Sequence, residues 1–371
     1  MPGLNEYVRA AAVSLLAACL CACGDSREDA PREGGAAANE SIDTGADAEG
    51  ATEGGVAEGG SADGAVESAE GSDPAQVTEA AEASGQPPSL IPGAHPFVIE
   101  VDGIARSYLL YVPASLQPTV EGHPVLVNYH GFTSNGGQQR FFSLMDQTAD
   151  LHGFLVVYPE GVEGEGELSE GPGTTTQYWN AGVCCAGDNE GPDDVAFARA
   201  MLADLASHIA VDSARVYATG MSNGGFMSQL LGCEAADLFA AVAPVAGTLG
   251  IPVADCTPSR PMPILQFYGT EDELVLFESE EPELDAVRSF NGWGEINGCS
   301  GDVEESFRTE GAYCQMQTGC DAEVKVEMCA LVGMGHCWPG QQMVCPFGST
   351  SGAIDANERM WAFFSQQRLD G

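Results

Sequence analysis

The sequence predicts an α/β fold in which helices cover both faces of a mostly parallel central sheet. Short apolar runs alternate with helical stretches over residues 93–371, which is typical of parallel strands joined by helices. One of these runs leads through a glycine-rich turn, GMSNG at 220–224, directly into a helical stretch. The region is about 279 residues long, a length that suits one large α/β domain.

The predicted elements follow one another in a regular order. Apolar runs at 97–101 and 108–112 flank a turn containing Asp102 and Gly103, which indicates an opening hairpin. Further strands are predicted at residues 125–129, 154–158, 216–218, 241–245, 264–268 and 324–332. Helices are predicted at 193–209, from 225 onward, and at 354–365. In sheets of this class the catalytic and ligand-binding residues lie in loops at the carboxyl ends of the strands.

Ser222 is the candidate nucleophile. A strand, the pattern G-x-S-x-G and a helix form the nucleophile elbow of serine hydrolases, and residues 220–224 are the only match to that pattern in the 371 residues. The two glycines leave room for a sharp turn that a Cβ atom would block. The turn lifts the serine oxygen clear of the sheet.

His336 and Asp272 are the candidate base and acid. A serine nucleophile needs a base, and elbow enzymes have the chain order serine, carboxylate, histidine. Only His336 of the six histidines follows Ser222, in a glycine turn after the predicted strand at 324–332. Asp272 follows the predicted strand at 264–268, and its neighbours Glu271 and Glu273 are the alternatives for the acid.

Two backbone amides are the candidate donors to the negative charge that develops on the substrate's carbonyl oxygen when a serine attacks it. One is the amide of Asn223, directly after the nucleophile, and the other is the amide of Phe132 in the loop after an early strand. Gly131 permits close approach of the chain at that loop. The position of His130 before this glycine favours a loop-anchoring role over that of general base.

Ten cysteines follow residue 180, and an even number in an exported chain indicates disulfides. Zinc is the competing interpretation, but no pair of C-x-x-C motifs occurs at finger-like spacing. The sequence does not determine which cysteines pair. No metal or organic cofactor is expected.

Further motifs occur in order between residues 97 and 364: HGF at 130–132, YPEG at 158–161, WNAG at 179–182, CC at 184–185, DDVAF at 193–197, AAVAPVAG at 240–247, GTED at 269–272, GMGHCWPG at 333–340 and IDANE at 354–358. With the elbow, they make the sequence resemble the secreted polyhydroxybutyrate-depolymerase-type and feruloyl-esterase-type esterases of the α/β-hydrolase superfamily. The resemblance implies the α/β-hydrolase fold and a catalytic triad of Ser222, Asp272 and His336. It also implies that Trp179 and Trp338 lie near the acyl pocket, with core packing of both as the alternative.

The sequence departs from the family pattern at Cys337, where these esterases usually carry a small polar residue. A disulfide from Cys337 to another loop at the site, through Cys184 or Cys185, would stiffen the rim of the active site. The acidic, glycine-rich loop at 161–177 is expected to be a lid or simply surface.

The amino terminus predicts export. Residues 1–23 resemble a lipoprotein signal peptide, with Cys23 as the lipidated residue; Cys19 is an equally formal match, and an ordinary cleaved signal is the alternative. Residues 24–92 are expected to be a disordered tether, because residues 24–88 carry 16 acidic and 2 basic side chains and no aromatic residue. The protein is therefore expected in the cell envelope or outside the cell, with a lipid anchor as its only membrane contact.

The charge of the remaining region is also strongly negative, with 38 acidic and 10 basic side chains in residues 93–371. This balance excludes nucleic-acid binding through a basic face. The resemblance to the esterase family implies an ester substrate as the partner, and hydrolysis of feruloyl or acetyl esters of plant xylan as the expected function. The alternative is depolymerisation of polyhydroxybutyrate or its oligomers. A serine peptidase and a non-catalytic binding module are the remaining possibilities.

Overall fold

A ten-stranded sheet organises the part of the chain that the structure describes. This computed structural model describes residues 90–164, 176–185, 191–279, 285–341, 345 and 347–369. The expected signal peptide at 1–23 and nearly all of the expected tether at 24–92 lie outside the described residues, so both stay predictions. Within these ranges, no helix has the length and apolar character needed to cross a membrane.

The strands of the described residues are β1 (Gly93–Val101), β2 (Ile104–Val112), β3 (His123–Tyr129), β4 (Leu155–Pro159), β5 (Val162–Gly164), β6 (Thr176–Tyr178), β7 (Val211–Met221), β8 (Ala241–Val245), β9 (Ile264–Gly269), β10 (Val303–Thr309), β11 (Ala312–Gln317) and β12 (Val326–Leu331). The α-helices of the described residues are α1 (Gly136–Ser143), α2 (Met145–His152), α3 (Asp194–His208), α4 (Asn223–Glu234), α5 (Ala286–Ile296) and α6 (Ala356–Phe364). Each strand and helix that the sequence predicts is present, with ends that differ by a few residues.

The strand order in the large sheet is β1-β2-β4-β3-β7-β8-β9-β12-β11-β10, and β5 pairs with β6 in a separate hairpin. The strands from β4 to β12 in that order run parallel, whereas the two outer strands on each side, β1 and β2 on one side and β11 and β10 on the other, pair antiparallel. This is the α/β-hydrolase fold that the sequence predicts. Since the carboxyl ends of parallel strands lie at the same end of the sheet, the loops after β7, β9 and β12 come together there.

Two apolar cores lie on opposite faces of the sheet. Along β3, Val125 and Val127 point into a core that includes residues of α3, α4 and α5, whereas Leu126 points into a core with α2 and α6. Strands β3, β4, β8, β9 and β12 are buried along their whole length, which explains why they occur in the sequence as mostly apolar runs. The buried sheet is a rigid base for the loops at the carboxyl ends of its strands.

Five disulfides join the ten cysteines: Cys184–Cys185, Cys233–Cys256, Cys299–Cys320, Cys314–Cys329 and Cys337–Cys345. The expectation of disulfides is confirmed, but the expected link from Cys337 to Cys184 or Cys185 is wrong. Cys337 instead bonds to Cys345, with Cα atoms 5.7 Å apart. Cys314, Cys329 and Glu327 lie close enough to share a metal ion, but the two sulfurs are bonded to each other and are not thiolate ligands.

Candidate active site

Ser222 occupies a sharp turn between β7 and α4. Its backbone has φ 57° and ψ −122°, a left-handed conformation that is costly for a residue with a side chain. Gly220 and Gly224 make this turn possible: a Cβ on Gly220 would lie 2.4 Å from the Gly224 oxygen, and a Cβ on Gly224 would lie 2.1 Å from the Tyr129 oxygen. Glycines at these two positions thus permit the nucleophile elbow, because the backbone segments approach too closely there for a side chain.

The Ser222 side chain is only partly buried, at the carboxyl end of β7. Its backbone amide donates to the Val245 oxygen at 2.9 Å, which fixes the elbow to the end of β8. The Ser222 hydroxyl makes no hydrogen bond to any other residue that the structure describes. Long or absent hydrogen bonds at a nucleophile are common without substrate, and they shorten when the substrate binds.

Asp272 and His336 are in direct contact at the ends of the neighbouring strands β9 and β12. His336 Nδ1 lies 2.8 Å from Asp272 Oδ2, and the two side chains are 3% and 0% exposed. The other carboxylate oxygen of Asp272 accepts from the Leu274 and Val275 amides at 2.8 and 2.9 Å. This arrangement favours the tautomer with a proton on Nδ1, which leaves Nε2 free to accept a proton.

Asp272 is the acid that meets the histidine in this structure. Its neighbours Glu271 and Glu273, the alternatives from the sequence, are both exposed. The Glu271 amide donates to the Met334 oxygen at 3.0 Å, so the loop after β9 is hydrogen-bonded to the loop that carries His336. The histidine loop is further held by the His336 amide, which donates to the Phe347 oxygen at 3.1 Å.

The two candidate amide donors, on Asn223 and Phe132, belong to segments that approach Ser222 from either side. Asn223 begins α4 directly after the serine. On the other side, a Cβ built on Gly131 would lie 3.5 Å from the Ser222 Cβ, so the loop before Phe132 packs against the elbow. Neither amide donates a hydrogen bond within the described ranges. Free amides beside a nucleophile are what a developing oxyanion requires.

His130 is fully buried beside this loop, and both of its ring nitrogens are engaged. Nδ1 is 2.8 Å from the Gly131 oxygen, and Nε2 accepts from the Gly161 amide at 2.9 Å. Burial lowers the pKa of His130 to about 4, a hydrogen bond with the Gly131 backbone opposes this shift, and the Arg106 charge adds to it. A neutral ring with two partners fits a loop anchor and leaves no free nitrogen for proton transfer.

Trp179 and Trp338 are both buried, with 0% and 4% of their surface exposed. The Trp179 indole donates to the His130 oxygen at 2.9 Å, and its ring packs edge-on against Tyr129. The Trp338 indole donates to the Asn357 side chain at 2.8 Å. Both rings contribute to the cores of the domain. Their expected role in substrate binding stays a prediction.

Arg106 is a residue of this region that the sequence analysis did not single out. It is 3% exposed on β2 and pairs with Asp194 at 2.7 Å, and its guanidinium lies 3.9 Å from the centre of the Phe197 ring. It is one of only 13 basic residues in the chain and lies just before the predicted apolar run at 108–112, but no motif in the sequence marks its role. Asp194 also accepts from the Asn180 amide at 2.7 Å.

Several known proteins are similar in sequence to this chain. A family model described as "Esterase PHB depolymerase" matches residues 106–265. "Feruloyl esterase B" of Piromyces equi is 34% identical over 225 residues, which are 57% of this chain and 39% of that protein. "Putative esterase NocK" of Nocardia uniformis subsp. tsuyamanensis is 30% identical over 264 residues, 65% of this chain and 73% of that protein.

A third relative is the "Bifunctional acetylxylan esterase/xylanase XynS20E" of Neocallimastix patriciarum, 26% identical over 275 residues, 72% of this chain and 34% of that protein. The alignments thus span less than half the length of two of the three relatives. The fold, the elbow and these similarities agree on a carboxylic ester hydrolase. The chain belongs to the polyhydroxybutyrate-depolymerase-type and feruloyl-esterase-type esterases of the α/β-hydrolase superfamily.

Proposed function

We propose that this esterase uses Ser222, His336 and Asp272 as a catalytic triad and acts through an acyl-enzyme intermediate. The observation that carries the proposal is the buried 2.8 Å contact between His336 and Asp272, at the carboxyl ends of the parallel strands, where the turn of Ser222 also lies. A histidine with one nitrogen held by a carboxylate and the other free is equipped to act as a general base.

The reaction then proceeds in two halves. His336 Nε2 accepts the hydroxyl proton while Ser222 Oγ bonds to the ester carbonyl carbon, and the amides of Asn223 and Phe132 stabilise the oxyanion. The C–O bond to the alcohol breaks, and His336 returns the proton to the departing oxygen. A water molecule, deprotonated by His336, attacks the acyl-serine, and the acid leaves as Ser222 regains its proton.

The proposed substrates are feruloyl or acetyl esters of plant xylan. The names of two relatives support this class, one a feruloyl esterase and the other a bifunctional acetylxylan esterase/xylanase. The second candidate is a polyester or oligomer of hydroxybutyrate, which the description of the matching family favours.

The test is release of acid from methyl ferulate, acetylated xylan and a hydroxybutyrate oligomer, measured with the full chain. The variants are Ser222→Ala and, as a matched control, Ser207→Ala at an exposed position near the end of α3. We expect hydrolysis of a xylan-type ester that Ser222→Ala abolishes and Ser207→Ala retains. Preference for the oligomer would assign the protein to polyester turnover, and equal activity of both variants would contradict the triad.

We further propose that the protein is exported and anchored through a lipid on Cys23. The lipobox-like sequence ending at Cys23 supports the anchor, and five disulfides fit an oxidising compartment. Expression of Cys23→Ala and Cys19→Ala in a bacterial host tests it. Release of only the Cys23→Ala protein from the membrane fraction is expected; retention of that variant would contradict Cys23 as the site.

A further inference from the structure

The side chain of Asn223 makes a two-point contact with the backbone of Trp179. Asn223 is fully buried, its Oδ1 accepts from the Trp179 amide at 2.7 Å, and its Nδ2 donates to the Trp179 oxygen at 3.0 Å. Nδ2 also donates to the Cys184 oxygen at 3.3 Å. Since one end of the carboxamide faces a donor and the other faces two acceptors, its orientation is fixed, and an aspartate could not satisfy both ends.

The segment that Asn223 contacts, residues 179–180, is also hydrogen-bonded to other parts of the fold. The Asn180 amide donates to Asp194 Oδ2 at 2.7 Å, and Asp194 Oδ1 accepts from Arg106 in a buried ion pair. The segment therefore joins α4 to the start of α3 and to β2. A carboxamide that is hydrogen-bonded to such a fixed segment has little conformational freedom, and it restricts the first turn of α4 as well.

The same segment reaches the second candidate amide donor. The Trp179 indole donates to the oxygen of His130, two residues before Phe132. Asn223 is thus connected through Trp179 to the loop that carries Phe132. The two amides come from chain segments 91 residues apart, and Trp179 contacts both segments.

We propose that the Asn223 carboxamide is a positioning group that holds the amides of Asn223 and Phe132 at the spacing a developing oxyanion needs. The inference rests on the proposed triad mechanism. Donors of this kind act on the transition state more than on the bound ester, and displacements of about 1 Å cost on the order of 100-fold in rate. Loss of the carboxamide therefore lowers kcat and leaves KM nearly unchanged.

The chain offers a matched control in Asn297. Its side chain is also fully buried, and it makes the same two-point contact with the backbone of Met262, at 2.7 and 3.0 Å. Met262 precedes β9, whereas Asp272 follows β9, so this second contact lies at the opposite end of the sheet from Ser222. Asn223→Asp and Asn297→Asp make the same chemical change, and only the first is made at the site.

The experiment compares kcat, KM and the thermal midpoint for both variants in the full chain, with a p-nitrophenyl ester as substrate. Both variants are expected to lose comparable thermal stability. Asn223→Asp is expected to lose about 100-fold in kcat with KM within about two-fold, and Asn297→Asp to keep kcat within about two-fold. Affinity for a trifluoromethyl ketone, whose serine adduct carries an oxyanion, should fall with Asn223→Asp by the same factor as kcat/KM.

Equal effects of the two variants on kcat, or a rise of KM alone with Asn223→Asp, would overturn the positioning role. If Asn223→Asp does not fold, the milder pair Asn223→Ala and Asn297→Ala decides by the same measurements. Wild-type protein and Ser222→Ala are assayed in parallel. Activity that survives in Ser222→Ala would refute the triad itself, and this outcome is distinct from failure of the positioning role.

Discussion

His130 should make the free energy of unfolding depend on pH in the acid range. The buried ring accepts from the Gly161 amide at Nε2 and bonds the Gly131 oxygen at Nδ1, so only the neutral ring satisfies both partners. A proton on Nε2 would face the Gly161 N–H and remove that hydrogen bond. Burial, together with the Arg106 charge, lowers the pKa of His130 from 6.5 to about 4.

The sign and size of the effect follow from this shift. Because the folded protein binds the proton more weakly than the unfolded chain, His130 contributes fully to stability above pH 6.5, and the contribution is lost as the pH falls to about 4. Each pKa unit corresponds to 1.36 kcal/mol, so the complete loss is about 3 kcal/mol. Between about pH 7.5 and about pH 5 the loss is about 2 kcal/mol.

Urea unfolding of the wild type and of His130→Asn at these two pH values isolates the histidine, because titration of other groups is common to both proteins. The difference in unfolding free energy between the two proteins should shrink by about 2 kcal/mol at the lower pH. His95→Asn, at a partly exposed position on β1, reports the effect of removing a histidine elsewhere. A difference between wild type and His130→Asn that does not change with pH would refute the reasoning.

Three further results are expected. Asp272→Asn should lower kcat by about 10³- to 10⁴-fold, because an amide does not hold the tautomer of His336 that accepts the serine proton, and steady-state ester hydrolysis measures this. Gln229→Leu should lower the free energy of unfolding by about 1–3 kcal/mol in urea titrations, because the Trp293 indole donates to the Gln229 carbonyl inside the core and would lose its acceptor. A monoanionic ester should react more slowly than its neutral analogue, because the excess of acidic side chains repels it, and the difference in rate should shrink as NaCl screens this repulsion. Among the described residues, every arginine and the one lysine already has a carboxylate, carbonyl or amide partner, so none is free to attract the anion. Equal rates for the two esters at low salt would contradict this last expectation.

Most of the parallel sheet could be predicted because its strands are buried on both faces and therefore occur as mostly apolar runs. The hairpin of β10 and β11 was missed for the opposite reason. Strand β10 has the sequence VEESFRT and is exposed along nearly its whole length, so it has neither an apolar run nor a buried alternation. Helix α5 was missed because Gly292 and Gly294 lower its helix propensity, and packing of its apolar face, including Trp293, compensates.

The candidate triad was predictable because its constraints are local and ordered. Each residue follows a strand, and the three occur in a fixed order along the chain. The contacts that hold the site residues in position, in contrast, join residues far apart in the sequence. The Asn223 contact to Trp179 spans 44 residues, and the pair of Arg106 and Asp194 spans 88 residues. No periodicity or short motif encodes such pairs, so only the folded structure identifies them.

The groups of the candidate site are held mainly by backbone atoms. Asp272 is oriented by two amides, His130 by an amide and a carbonyl, and Asn223 by the amide and carbonyl of Trp179. A backbone partner does not depend on the side chain of the residue that supplies it. Side chains on these loops can therefore change, and with them the preferred acyl group, while the reacting atoms stay in place.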